Sequence, residues 1–395
     1  MSLSKSKLLS AWLVDLPEAT GYCVAYSGGV DSHVLLHLLA KRRETLSAPL
    51  SAVHVDHQIQ SQSGDWAVHC QAVCEELQIP FETLHVDGRV RPGESPEAAA
   101  RTARYRALAD WLPAGALLIT AQHQDDQAET LLLQLFRGAG PRGLSAMPRL
   151  AGLGQGHLLR PFLDYRQAEI LDYAHAHKLR WVEDPTNTDT RYDRNLLRQQ
   201  LLPQLREHWP GLTQVLARAA GLQADQSELA TALAELDLAT CGSSELPDRL
   251  RIPELLSLSP ARQRNLLRHW IELNGFKLPS LEVLKRINSE VLSAREDAVP
   301  LVQWSGVEIR RYRQTLYIMP PLEKQDASLR LPWDGIQPLE LAGGTLTAEP
   351  VMASGLRLAP DASLKVGFRQ GGETLQPAGR AGHHALKKLF QEWSV

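Results

Sequence analysis

Ser27-Gly28-Gly29-Val30-Asp31-Ser32 follows an apolar run, Gly21-Tyr22-Cys23-Val24-Ala25-Tyr26, and precedes His33 to Leu39, where apolar residues recur at helical spacing. Strand, glycine-rich turn and helix start in that order make an anion cradle. The two glycines let the backbone pass close to a ligand, and the free amides of the helix start face it. Ser27 and Ser32 add hydroxyl donors. The G-x-x-x-x-G-K-S/T spacing of a Walker loop is missing, and so is G-x-G-x-x-G. An aspartate inside a phosphate cradle repels phosphate unless a cation stands between them, so Asp31 is a candidate Mg²⁺ ligand. The plain alternative is a serine-capped Gly-Gly turn.

Outward from this stretch, short apolar runs alternate with helical patterns. Ser51 to Val55, Phe81 to Val86 and Ala116 to Thr120 read as further strands. Trp66 to Leu77, Glu97 to Trp111 and Asp125 to Phe136 read as helices. That alternation predicts βαβ units and a parallel sheet, with ligands at the carboxyl ends of the strands. Gly138 to Gly156 reads as a long loop and Leu158 to Leu163 as one more strand. Arg166 to Lys178 and Asn195 to Glu207 read as helices, and Leu212 to about Ser293 is almost entirely helical in pattern. Val299 to Trp304 and Val307 to Ile318 predict a hairpin about Ser305-Gly306. Ile336 to Thr347 reads as strands around Gly343-Gly344, Lys365 to Phe368 as a strand, and Ala385 to Glu392 as a short basic helix.

The chain has 395 residues, which suggests two or three domains. Apolar residues are 44%, charged residues 22% and the formal net charge −3. These values exclude a disordered chain, a fibrous repeat and a wholly basic nucleic-acid coat, though a local basic patch suffices for a nucleic-acid partner. Four cysteines (Cys23, Cys70, Cys74, Cys241) are too few for a disulfide framework and fit a reducing compartment. No secretory signal and no apolar run of about 18 residues is present, so the expectation is a cytoplasmic protein with no membrane partner.

Several later stretches carry chemistry. Val53-His54-Val55-Asp56-His57 ends the second strand, where Val55 and His57 border the expected nucleotide pocket; His54 reads as a core residue. Arg101 and Arg104 stand one turn apart in Glu97-Ala98-Ala99-Ala100-Arg101-Thr102-Ala103-Arg104-Tyr105, a pair suited to polyphosphate or nucleic-acid phosphate, or to a solvated face. His123-Gln124-Asp125-Asp126-Gln127-Ala128-Glu129 follows the fourth strand. Asp126 and Glu129 share a helix face there, to hold a cationic substrate or metal ion, or only to cap the helix. His123 and Asp126 have metal-ligand spacing without the partners of a zinc set. Arg194 and Arg198 also share a face, and basic residues at a helix start point to an external anion.

The cradle resembles the pyrophosphate loop of the N-type ATP pyrophosphatases. The ordered set SGGVDS, HVDH, EAAARTARY, HQDDQAET, WVEDPTN and RNLLRQQLLP resembles the tRNA-isoleucine lysidine synthetase family over about the first 215 residues. The resemblance implies an α/β fold: a Rossmann-like PP-loop domain (1–212), a mainly helical accessory domain (213–325) and a small α+β tRNA-binding domain (326–395). Gln58 stands where the family usually has glycine and Gln122 where it has histidine. The chain stops at Val395 where such proteins generally continue, so the last domain is expected to be shortened.

The implied reaction joins L-lysine to the wobble cytidine of the isoleucine tRNA with a CAU anticodon. ATP adenylates the 2-oxo oxygen, diphosphate leaves, and the lysine ε-amine displaces AMP. The ATP-binding residues are then Ser27, Gly28, Gly29, Val30, Asp31, Ser32, Val55, His57 and His123, with Mg²⁺ on Asp31. The catalytic set is Asp31, Arg104, Asp126 and Glu129, and Asp126 with Glu129 grip the lysine amines. Neutralising a free lysine ammonium at pH 7 costs about 4.6 kcal/mol, so one acid is expected to take a proton. Arg101, Arg194, Arg198, Arg380, Lys387 and Lys388 are the tRNA contacts, Arg194 and Arg198 being equally suited to the lysine carboxylate. The resemblance is compatible with a homodimer. The rivals are a tRNA 2-thiolase, which commonly needs reactive cysteines, and a non-catalytic nucleotide- or tRNA-binding protein. An amidotransferase-type synthetase lacks its glutaminase part here.

Overall fold

In the computed structural model, strand β1 (Tyr22–Ala25) alternates its side chains between two cores, the period-2 signature of a strand covered on both faces. Tyr22 and Val24 join one cluster with Leu35, Leu36 and Leu39; Cys23 joins the other with Val53, Leu108 and Leu118. The structure describes residues 9–56, 63–86, 96–185, 189–242, 246–295, 298, 300–322, 326, 328–341, 344–350, 364–377 and 379–393. The chain divides into two units, Met1–Ala230 and Thr231–Val395.

In the first unit β1 leads into α1 (Val30–Lys41), and β2 (Leu50–Asp56) into α2 (Ser63–Glu76). Then come β3 (Phe81–His85), α3 (Pro96–Trp111), β4 (Leu117–Ile119) and α4 (Gln124–Phe136). The sheet order is β3-β2-β1-β4-β6-β5. All neighbours pair in parallel except β5 (Leu150–Leu153), which runs antiparallel to β6 (Gly156–Leu159). The order reverses between β1 and β4. Their carboxyl ends therefore flank a crevice where an open parallel sheet binds ligands.

Two sequence expectations need correcting here. Gly138 to Gly156 is not one loop: it holds α5 (Pro141–Leu144) and β5. The strand expected to reach Leu163 ends at Leu159 and gives way to a 3₁₀ turn, Pro161–Asp164, since Pro161 cannot donate to the ladder. Gly154 and Gly156 explain the hidden hairpin. A side chain at Gly154 would strike the Ala109 carbonyl oxygen, and one at Gly156 that of Ala116, so the glycines mark close packing rather than an open loop. After α6 (Gln167–Ala176), α7 (Asp193–Leu196) runs through a π-helical turn, Leu197–Leu201, into α8 (Leu202–His208). The long α9 (Leu212–Cys241) follows.

The second unit has its own core. Strand β7 (Arg249–Arg251), absent from the helical reading of that stretch, joins an antiparallel sheet of order β7-β10-β9-β8. Its partners are β8 (Leu301–Trp304), β9 (Val307–Tyr312) and β10 (Thr315–Met319), so the run Val307 to Ile318 is two strands rather than one. Helices α10 (Ile252–Ser257), α11 (Pro260–Leu273) and α12 (Leu281–Arg286), with a π turn at Ile287–Leu292, supply the rest. Trp270 is fully buried there and its Nε1–H donates to the Pro247 carbonyl at 2.8 Å. Truncating such a residue to alanine costs about 3–5 kcal/mol. Short antiparallel pairs follow: β11 (Arg330–Trp333) with β14 (Leu364–Gly367), and β12 (Leu339–Leu341) with β13 (Gly344–Leu346). Last, β15 (Thr374–Leu375) pairs with β16 (His384–Ala385), ahead of α13 (Leu386–Trp393).

Candidate functional site

The β1–α1 turn is wound by its serines. Ser27 N–H donates to Ser32 Oγ at 3.2 Å, the two hydroxyls lie 3.1 Å apart, and Ser32 Oγ donates to the Gly29 carbonyl at 3.0 Å. Gly28 has φ +84°, which a side chain resists, and a Cβ there would sit 3.1 Å from Cys70 Sγ. The Gly28 carbonyl accepts from Val182 N–H at 3.0 Å, so the Trp181-Val182 segment is tied to the cradle. Cys70 is fully buried, and burial pushes its thiol up to about 12, as it does for Cys74. Both cysteines lie in the main core. His54 is buried and its Nδ1 donates to the Tyr26 carbonyl at 2.9 Å, which makes it a support of the turn's first residues.

The β4–α4 turn comes to meet this loop. His123 is 1% exposed; its Nε2 lies 3.7 Å from Asp31 Oδ2 and 3.5 Å from Asp126 Oδ2. One imidazole thus stands between an acid from each turn. Asp126 also caps its own helix, taking His123 N–H at 3.1 Å. The capping and the charged roles therefore coexist on one carboxylate.

Arg198 spans both acids of the α4 face. Its Nε donates to Glu129 Oε1 at 2.7 Å, and its Nη2 to Glu129 Oε2 at 2.9 Å and to Asp126 Oδ1 at 2.8 Å. Arg194 donates to Thr130 Oγ1 at 2.9 Å and pairs with Glu129 at 3.6 Å. Both arginines, expected as contacts to an outside anion, are turned inward onto the acids. The π turn contains Arg198, and the extra residue in that turn shifts its facing. Arg206, not anticipated, continues the series eight residues on and donates to Asp125 Oδ1 at 2.6 Å. Its signal was the spacing 194, 198, 206 along one helical run.

Four acids (Asp31, Asp125, Asp126, Glu129) thus face three arginines (Arg194, Arg198, Arg206) and His123. The cluster holds one more acid than arginine. Burial pushes the Asp31 carboxyl above its usual range, against His123, while Asp126 pushes the same way. Burial likewise holds Glu129 up, and the Arg198 hydrogen bonds offset only part of that. Burial acts on Asp126 too, but His123, Arg198, the His123 backbone N–H and Arg194 together bring it below the ordinary carboxylate value. Acids with opposed shifts in one crevice are the usual mark of divided labour.

Asp31 Oδ1 is buried and meets no donor among the described residues. That orphan oxygen fits a cation. Among the described residues no three His, Cys, Asp or Glu side chains converge as a ready cage. Mg²⁺ takes one or two carboxylates and fills its shell with phosphate oxygens and water.

The remaining expected residues are more dispersed. Val30 opens α1, and Val55 is half-buried in β2. His57 lies outside the described residues. Arg101 and Arg104 are exposed on α3, the Arg101 guanidinium 5.0 Å from the Tyr105 ring centre. In the second unit Arg380 pairs with Glu392 at 2.6 Å, while Lys387 and Lys388 are exposed on α13. A cleft of about 590 Å³ opens on the opposite face of α4, lined among others by Gln124, Gln127, Met147, Arg149, Arg218 and Asp225, away from the acids. No helix among the described residues is long and apolar enough to cross a membrane.

The chain is similar to known proteins along most of its length. Residues 4–205 match the family model described as a PP-loop domain, 250–317 the TilS substrate binding domain and 364–395 the TilS substrate C-terminal domain. The tRNA(Ile)-lysidine synthase of Methylococcus capsulatus is 44% identical over 389 residues, covering 97% of this chain and 88% of that protein. That of Coxiella burnetii is 43% identical over 392 residues, 98% of this chain and 86% of that protein. That of Pseudomonas aeruginosa is 44% identical over 403 residues, 99% and 88%.

Proposed function

Because the chain belongs to the tRNA(Ile)-lysidine synthase family, we propose that its β1–α1 and β4–α4 turns are the two halves of one reaction site. The protein is an enzyme of ATP-dependent lysidine formation, and it binds tRNA. The observation that carries the site assignment is His123 Nε2, which stands between Asp31 of the phosphate cradle and Asp126 of the acid face.

In this reading the amides of Gly28 and Gly29 and the hydroxyls of Ser27 and Ser32 receive the diphosphate as charge builds on it. Asp31 would hold Mg²⁺, which supplies charge neutralisation between the carboxylate and the phosphate oxygens. Arg104, exposed on α3, approaches the phosphates or the tRNA backbone, as does Arg101. The lysine ammonium meets Asp126 and Glu129, in a cluster with one more acid than arginine. Glu129, held above the ordinary carboxylate range by burial, is the better proton acceptor of the two. Arg198 bridges the two acids and Arg194 pairs with Glu129, holding the carboxylates in place until lysine binds. Arg380, Lys387 and Lys388 serve tRNA phosphate from the second unit. In this reading the enzyme works in the cytoplasm, where ATP, lysine and tRNA meet.

A homodimer has a surface to use. Val215, Leu222, Leu229 and Leu236 of α9 stand exposed at seven-residue intervals. A heptad stripe of that kind is the seam of a helix pair, and a second copy of α9 supplies its complement. The thiolase alternative would need reactive sulfur, and Cys70 and Cys74 are buried, high-pKa thiols. The test is to incubate the protein with ATP, lysine and tRNA(Ile) bearing a CAU anticodon. AMP and a lysine-bearing tRNA are expected; AMP without lysine transfer would reject the reading.

A further inference from the structure

Phe136 is 67% exposed at the end of α4, and Leu135 beside it is 51% exposed. Asp126, Glu129, Leu133 and Phe136 follow one another at steps of three, four and three residues, so they share a face of the helix. Ten residues at ~1.5 Å each put Phe136 about 15 Å from Asp126 along the axis. That is too far to touch the reacting atoms and within reach of the nucleotides beside the reacting base.

The surroundings of Phe136 are basic. Residues 131–149 contain three arginines, Arg137, Arg142 and Arg149, and no aspartate or glutamate, in a chain whose net charge is −3. Arg149 pairs with Asp164, while Arg137 and Arg142 are exposed. The segment is also held in place. The Gln127 side-chain amide donates to the Met147 carbonyl at 2.7 Å and accepts Met147 N–H at 2.9 Å, pinning the chain after α5 back onto α4. An exposed aromatic ring on a fixed, cationic surface has the makings of a stacking platform for single-stranded nucleic acid.

The geometry points to Phe136 as the stacking platform for an unpaired anticodon-loop base next to the wobble cytidine, with Arg137 and Arg142 on the flanking phosphates. This rests on the reaction-site reading above and adds a residue to it. A wobble base that leaves its stack to be adenylated strands its neighbour, and a ring about 15 Å from the acids recovers that neighbour's stacking. The contact is tolerant of base identity, so Phe136 fixes the splayed loop rather than reading its sequence.

The experiment measures lysidine formation on an anticodon stem-loop of tRNA(Ile), with KM taken separately for RNA, ATP and lysine. Phe136→Ala should raise the KM for RNA roughly 5- to 150-fold, the effect of losing one base–aromatic stack. The KM for ATP and for lysine should stay unchanged. Phe136→Trp should restore the RNA value, which a merely structural role would not require. Val68→Ala, on α2 and 68% exposed, is the matched control and should change nothing. An unchanged RNA KM in Phe136→Ala, or equal damage in Phe136→Trp, overturns the platform. Absence of lysidine with the unsubstituted protein would instead overturn the reaction-site reading.

Discussion

Arg198→Ala removes the group that joins the two acids of the α4 face. Three charge-assisted hydrogen bonds go, at 2.7, 2.9 and 2.8 Å, and Glu129 is left 1% exposed with Arg194 as its remaining ion-pair partner among the described residues. Breaking a buried ion pair from one side costs about 3–5 kcal/mol. The Arg198 side chain is 33% exposed, so solvent screening takes about half of that and leaves ~2 kcal/mol. For a unit of this size the expected fall in Tm is ~4–8 °C. The pH dependence has a definite sign. Burial already holds the folded Glu129 carboxyl above its ordinary value of 4.5, and loss of Arg198 raises it further. An acid whose folded pKa exceeds its unfolded one gains stability as pH falls through the folded value. The deficit of Arg198→Ala should therefore be full at alkaline pH, above the folded Glu129 value, and shrink at an acidic pH approaching the ordinary 4.5. Adding Glu129→Gln to Arg198→Ala should recover part of it at high pH, because only one of the two carboxylates that lose Arg198 is then charged. Thermal melting of the full chain at both pH values is the assay. A deficit that does not change with pH, or none at all, would refute the claim that these acids are ionised and held by Arg198.

Asp31→Asn keeps the shape of the cradle and removes its charge, and should lower the rate of AMP release roughly 10²- to 10³-fold with no change in tRNA binding; an unchanged rate would remove Asp31 from the reaction. Gly28→Ala forces a side chain onto φ +84° and against Cys70 Sγ. A strain of ~1–2 kcal/mol in the bound loop should raise the KM for ATP roughly 5- to 30-fold while leaving that for lysine alone. Leu222→Glu combined with Leu229→Glu should halve the mass seen by sedimentation if α9 is a helix-pair seam; an unaltered mass would send the stripe to another use.

The turn at Ser27–Ser32 was legible because its chemistry is local: glycines, serines and an acid between a strand and a helix. The parallel sheet was legible because β1 to β4 are short apolar runs at regular intervals, and burial on both faces leaves such runs few alternatives. The β5–β6 hairpin was hidden because Gly154 and Gly156 look like loop residues, while their reason is the backbone of Ala109 and Ala116, distant in sequence. The inward turn of Arg198 was hidden for a related reason. Periodicity places Arg194 and Arg198 on one face, but it says nothing of a π turn or of which neighbour that face meets. The Val182–Gly28 hydrogen bond left no sequence signal, since any residue but proline could supply that N–H. Arg206 was recoverable, as one more basic residue on the same helical run.

The most direct measurement is mass analysis of the wobble nucleoside after the purified protein has acted on tRNA(Ile) with ATP and isotopically labelled lysine. The expected product is cytidine bearing one labelled lysine, formed with stoichiometric AMP. A nucleoside that gains sulfur, or an unmodified cytidine under the same conditions, would contradict the account.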